Sequence, residues 1–211
     1  ASAVLCAVQA VFLLGFIKRN GLLQQYGLCK SAVPARRFLY YLPLAVLMTR
    51  NFWNGAAFNA TLTETVCYII CMLCVGFVEE VIFRGLLFRA MAEDNRNTAV
   101  VISSLTFGLG HLLNLVNGSG ASLAETLLQV AGAVALGFLF VILFDRGGSL
   151  LPCILAHAVI NITSIFANET GLTLGKGMAM QLVLIAVAVA YALILTKTLP
   201  KNQHAKAHRQ E

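Results

Sequence analysis

The stretch FVEEVIFRGLLFR, Phe77–Arg89, holds two adjacent carboxylates and two arginines inside a long apolar run. An ionisable group on a membrane-spanning helix costs on the order of 2.5–3.5 kcal/mol even on the mildest insertion scale, so each of these charges needs a partner, a route to water or a task. Glu80 and Arg84 stand at i and i+4, on one helical face, and can pair; Glu79 points about 100° away from them. Arg89 falls near the helix end, where an arginine reaches the interface. Helical geometry therefore leaves one carboxylate, Glu79, without a structural explanation.

The rest of the chain supports a membrane setting. Of its 211 residues, 59% are hydrophobic and 11% charged, with a mean hydropathy of +0.81, against about 25% charged residues in a soluble domain. Apolar runs of about 20 residues alternate with short polar joints, which predicts an all-α, polytopic transmembrane helix bundle of about seven spans. A β-barrel would need strands of alternating polarity, and none is found. The expected spans are about 1–17, 38–58, 61–91, 97–116, 123–144, 149–167 and 177–195. The first reads as a span and not a signal peptide, because no basic segment precedes it. The second is the weakest, interrupted by Pro43 and by the polar TRNFWN at 49–54. Asp94 and Asn95, NGSG at 117–120 and DRGG at 145–148 supply turns, and Pro152 is tolerated in a first helical turn. Without repeats or a soluble segment, residues 1–211 read as one integral-membrane domain, with a motif-bearing core at about 61–167 and a basic cytoplasmic tail at 196–211.

Seven spans fix an orientation. With the loop after the first span in the cytoplasm, every Lys and Arg except Arg50 and Lys176 falls on the inner side, as the positive-inside rule requires. The net charge of +6 then reflects topology and anionic lipid headgroups, with no nucleic-acid partner implied. The six cysteines mostly lie in apolar runs and read as small hydrophobes. Cys67, Cys71 and Cys74 share helical spacing, but their segment holds no His or fourth Cys, so core packing is the expected role.

Two further places combine polar residues with helical spacing. In FGLGHLLN, Phe107 and His111 stand at i, i+4, with Gly108 and Gly110 permitting close approach; in HAVIN, His157 and Asn161 share a face. Glu79 lies 15 positions before Asp94 and His111 lies 17 after it, which puts both ~22–26 Å along the arms of a hairpin. Glu79, His111, His157 and Asn161 are thus expected to converge in one cavity, opening toward the cytoplasmic side. A carboxylate and imidazoles in such a site suit general-base activation of water, and His and Asn suit stabilisation of an oxyanion. Two His and one Glu with an open position also match a catalytic zinc site, although the H-E-x-x-H signature is absent.

EEVIFR (Glu79, Glu80, Arg84), FGLGH (Phe107, His111) and HAVIN (His157, Asn161) resemble the EExxxR, FxxxH and HxxxN motifs of the CAAX-protease and bacteriocin-processing family of intramembrane proteases. The resemblance covers roughly residues 71–166. It implies an all-α protease acting on membrane-associated peptides or lipidated proteins. Glu79 and His111 would activate the water, His157 and Asn161 would form the oxyanion hole, and Glu80, Arg84 and Phe107 would support the site. It implies either no cofactor or a zinc ion held by Glu79, His111 and His157. A proton-coupled carrier would also use intramembrane Glu, His and Arg, but no matching halves are found; a non-catalytic immunity or chaperone protein on the same fold stays open.

Overall fold

A computed structural model describes residues 2–33, 38–116, 120 and 122–199. Among them are seven helical rods: α1 (Ser2–Arg19), α2 (Phe38–Met48), α3 (Leu62–Ala92), α4 (Arg96–Leu115), α5 (Leu123–Gly147), α6 (Leu151–Phe166) and α7 (Leu174–Thr198). The described residues contain no strand, and the fold is all-α as expected. Local sequence sets the boundaries. Thr61 and Glu64 form a capping box at the start of α3, and Ser122 and Glu125 form another at α5. Asn95 caps α4 by accepting from Thr98 N, and Gly148, at φ 70°, stops α5.

Five of these rods, α1, α3, α4, α5 and α7, are long and apolar enough to cross a membrane. The expected second and sixth spans are shorter than the sequence suggests. Pro43 lies inside α2, which ends at Met48 and passes through a 3₁₀ turn, Arg50–Phe52, into irregular chain up to Thr61. α6 begins only after the left-handed Gly148, and its last turn, Ser164–Phe166, is 3₁₀. The expected tail at 196–211 and the Arg36–Arg37 part of the basic loop fall largely outside the described residues.

Hydrogen bonds identify two ends of the bundle. At one, Ala32 N donates to Gly147 O (2.9 Å), Leu150 N to Gly27 O (2.8 Å) and Arg146 Nη1 to Leu199 O (2.7 Å). This basic end carries Lys18, Arg19, Lys30, Arg96 and Arg146. At the opposite end, Ala57 N donates to Phe166 O (2.9 Å) and Asn59 Nδ2 to Ala167 O (2.9 Å); Arg50 and Lys176 lie there. Arg84 belongs to neither end, because it is fully buried.

α5 forms the centre, with Leu136, Leu139, Phe140, Val141, Leu143 and Phe144 buried, whereas α1 leaves Val11 and Phe12 exposed for lipid. Small residues let the helices cross closely. A Cβ on Gly76 of α3 would stand 3.0 Å from Ala158 N of α6, and one on Gly137 of α5 would stand 3.0 Å from Ser104 O of α4. The two crossings bring α3, α4, α5 and α6 into one packed group.

Candidate active site

The site is built where α3 changes its winding. α3 is α-helical over Leu62–Glu80, π-helical over Val81–Phe88 and α-helical again to Ala92. Single π-turns often mark functional positions because they re-aim side chains. Ser103 Oγ of α4 donates to Phe83 O (2.7 Å), supplying a partner to a carbonyl of the altered turn. The π segment starts immediately after Glu79 and Glu80 and contains Arg84, so the change of winding and the charged motif coincide.

Arg84 Nη1 donates to Glu80 Oε1 at 2.9 Å, with both side chains fully buried. Arg84 Nη2 also reaches Gly137 O (3.4 Å), and its guanidinium lies 4.2 Å from the Phe107 ring centroid and 5.6 Å from that of Phe140. Aromatic faces thereby wrap a charge that has a single carboxylate partner. The i, i+4 pair expected from spacing is therefore present.

The same Glu80 oxygen holds a third group. His157 Nδ1 stands 2.9 Å from Glu80 Oε1, and its Nε2 faces Glu79 Oε2 at 3.7 Å. A carboxylate already paired with arginine is an acceptor, so Nδ1 carries the proton in this contact and Nε2 is the ring nitrogen left for chemistry. At 3.7 Å, Nε2 and Glu79 do not hydrogen-bond directly, which is a spacing suited to a bridging water or substrate atom. The Glu79 side chain is 37% exposed while that of Glu80 is 0%. Two neighbouring carboxylates thus take different positions, one locked in the interior and one at an opening.

Phe107 stacks edge-on against both histidines, with centroids 5.4 Å from His157 and 5.9 Å from His111. His111, in the 3₁₀ end of α4, joins the cluster through this ring, and its nearest carboxylate-bearing neighbour is not set by a direct hydrogen bond. Asn161, one turn beyond His157 on α6, is half-buried, and its side chain makes no hydrogen bond among the described residues. Glu79, Glu80, Arg84, Phe107, His111 and His157 are accordingly brought together, with Asn161 adjacent along α6. Among the described residues no three His, Cys, Asp or Glu side chains gather in a metal-holding arrangement. Glu79, His111 and His157 do not form a ready three-ligand set in this conformation.

At the basic end the loop after α1 packs against α5 and the start of α6: a Cβ on Gly27 would come 2.3 Å from Phe144 Cε2, and Ser149 Oγ donates to Cys29 O (2.5 Å). Two cavities lie elsewhere. One, of ≈ 100 Å³, opens between α1 and α3 and is lined by Cys6, Gln9, Cys74, Val78 and Glu79. The other, of ≈ 240 Å³, lies at the opposite end, lined among others by Arg50, Asn51, Ser164 and Gln181. Sequence reasoning missed Phe140, Gly137 and Gln181, which stand in no motif; Arg50 was visible only as a charge interrupting an apolar segment. It also missed the partner of Cys71, whose Sγ lies 3.2 Å from Cys6 Sγ of α1.

Residues 61–163, which carry α3 through most of α6, match a family whose description reads Type II CAAX prenyl endopeptidase Rce1-like. No curated protein and no solved structure matches the chain.

Proposed function

We propose, from the match of residues 61–163 to the family described as Type II CAAX prenyl endopeptidase Rce1-like, that this integral-membrane protein cleaves peptide bonds of membrane-associated or lipidated peptides by Glu/His activation of water. The observation that carries the reading is the division of labour between adjacent carboxylates. Glu80 is consumed by Arg84 and His157, while Glu79 faces an opening beside His157 Nε2. A partly exposed carboxylate on a preformed polar cluster is placed to take a proton from water.

In the proposed sequence, a water held by Glu79 and His111 attacks the scissile carbonyl carbon, and its proton passes to Glu79. The carbonyl oxygen becomes an oxyanion, to which Asn161 Nδ2–H donates; His157 donates from Nε2 as well when its ring is the imidazolium, with Nδ1–H kept on Glu80. Collapse breaks the C–N bond, and the proton moves to the leaving amine. Glu80 fixes the His157 ring through Nδ1, and Arg84 balances Glu80, so both act as positioning residues. Phe107 limits the orientations of the two imidazoles and shields the Arg84 charge. Zinc chemistry would require His111 to move toward Glu79 and His157, since these are not gathered as a ligand set.

Cleavage of a fluorogenic library of membrane-anchored peptides by the purified protein, with metal content measured on the same samples, tests the proposal. Turnover at substoichiometric metal is the expected result. Turnover proportional to bound zinc transfers the water to a metal, and a folded protein that cleaves no member of the library contradicts the endopeptidase reading.

A further inference from the structure

Resting on the reading of Glu79 as the reacting carboxylate, we infer that Cys6 of α1 and Cys71 of α3 are a thiol pair that an organic disulfide oxidises to a Cys6–Cys71 bond, stapling α1 over the opening at Glu79 and shutting the site. Both cysteines are free thiols, half-buried, with Sγ atoms 3.2 Å apart. A disulfide holds its sulfurs ~2.05 Å apart, so side-chain rotation has about 1.2 Å to close. Among the described residues this contact is the side-chain hydrogen bond that joins α1 to another helix.

The pair lies where a staple would matter. α1 is an outlying rod that packs chiefly against α3. Ile17 is its buried residue, whereas Val4, Leu5, Val8, Val11 and Phe12 are exposed. Cys71, Cys74 and Val78 stand at i, i+3 and i+7 and form one face of α3. Cys74, Val78 and Glu79 line the ≈ 100 Å³ cavity together with Cys6 and Gln9 of α1, so α1 covers the opening at which Glu79 stands. A cavity of that size takes a few waters, against ~300–1,000 Å³ for a pocket that holds a drug-sized ligand. Anything as large as a peptide strand reaches Glu79 by this route only when α1 moves off α3.

Cys6 lines the cavity and Cys71 does not, which orders the chemistry. The Cys6 thiolate attacks one sulfur of the organic disulfide, whose S–S bond breaks; one thiol leaves with the Cys6 proton, and Cys6 holds the other half as a mixed disulfide. The Cys71 thiolate then attacks Cys6 Sγ, the second thiol leaves with the Cys71 proton, and the Cys6–Cys71 bond is formed. The two protein sulfurs give up two electrons, the organic disulfide takes them, and excess dithiol runs the sequence backward. Cys74 also lines the cavity, but the hydrogen bond to Cys6 Sγ comes from Cys71, so Cys71 is the resolving thiol.

The test treats the protein in lipid nanodiscs with dithiodipyridine, a neutral disulfide that enters lipid. Peptide mass spectrometry then reads the Cys6–Cys71 crosslink and the labelling of Glu79 by dicyclohexylcarbodiimide, which adds to carboxyl groups whether or not the protein cleaves peptides. The reduced protein is expected to be labelled at Glu79 and not at the fully buried Glu80. Oxidation should yield the Cys6–Cys71 crosslink and lower Glu79 labelling about tenfold or more, as when access follows local opening, and dithiothreitol should restore it. Cys6→Ser should keep its Glu79 labelling under the reagent, and Cys74→Ser should respond as the parent does. A mixed disulfide that stays on Cys6, or a crosslink from Cys6 to Cys74, overturns the pairing. A crosslink that leaves Glu79 labelling unchanged overturns the staple, as does labelling lost in Cys6→Ser too, or a reduced protein that takes no label at Glu79. Failure of the protein to cleave any peptide in either form counts against the endopeptidase reading alone, because the carbodiimide reports access without cleavage.

Discussion

Replacing Glu80 by Gln removes the carboxylate that sits directly against Arg84. Arg84 has Glu80 as its carboxylate partner at 2.9 Å, both side chains are fully buried, and His157 Nδ1 leans on the same oxygen. Breaking a buried pair from one side costs ~3–5 kcal/mol, because the remaining ion is left without compensation. The Phe107 ring, 4.2 Å from the guanidinium, and Gly137 O remain in place, and a desolvated cation–π contact retains ~2 kcal/mol. The loss is therefore expected at the lower end, ~3 kcal/mol, which lowers the melting temperature by ~6–12 °C for a chain of this size. Cys153 offers the assay. Its thiol is fully buried with Sγ bonded to Phe140 O at 3.4 Å, so labelling of Cys153 by a thiol-reactive dye in a variant lacking the other cysteines reports opening of this core. A double substitution, Glu80→Met with Arg84→Met, removes both charges and is expected to recover most of the stability while staying inactive. A melting temperature for Glu80→Gln within ~2 °C of the parent would refute the reasoning, since one kcal/mol alone shifts it by that much.

The close crossing of α3 and α6 makes Gly76 a second sensitive point. Gly76→Ala places a methyl 3.0 Å from Ala158 N and 3.1 Å from Ala158 Cα; backbone cannot step aside, so a loss of ~1–3 kcal/mol is expected, measured by the same melting assay, with activity falling as His157 is pushed from Glu80. Asn161→Ala should lower kcat by ~10²–10³ with little change in KM if the side chain serves only the oxyanion; a rise in KM at constant kcat would assign it to substrate binding.

The fold class and the pairing of Glu80 with Arg84 were legible because both follow from periodicity: apolar length for the spans, i, i+4 spacing for the ion pair. The same periodicity failed at α2. Hydropathy sees Phe38–Phe58 as one run, whereas Pro43 and the 3₁₀ turn at Arg50–Phe52 end the helix early. The winding of α3 was hidden for a related reason. A π-turn over Val81–Phe88 depends on partners across the bundle, such as Ser103 to Phe83 O, and no local pattern marks it. Helical spacing correctly left Glu79 outside the ion pair, but did not reveal that His157 would be its neighbour, because that contact spans two distant helices. Arg50 was seen as an interruption of a span, and its place in a cavity with Gln181 required the fold.

The account stands most directly on Glu79 as the group that activates water. The decisive measurement is mass-spectrometric product analysis after the parent and Glu79→Gln, each reconstituted in lipid vesicles at equal folded amounts, are incubated with a membrane-anchored peptide that the parent cleaves. A single new carboxyl terminus from the parent and none from Glu79→Gln, with the melting temperature of the variant preserved, is the predicted result. The same product formed by Glu79→Gln at a comparable rate would contradict the account.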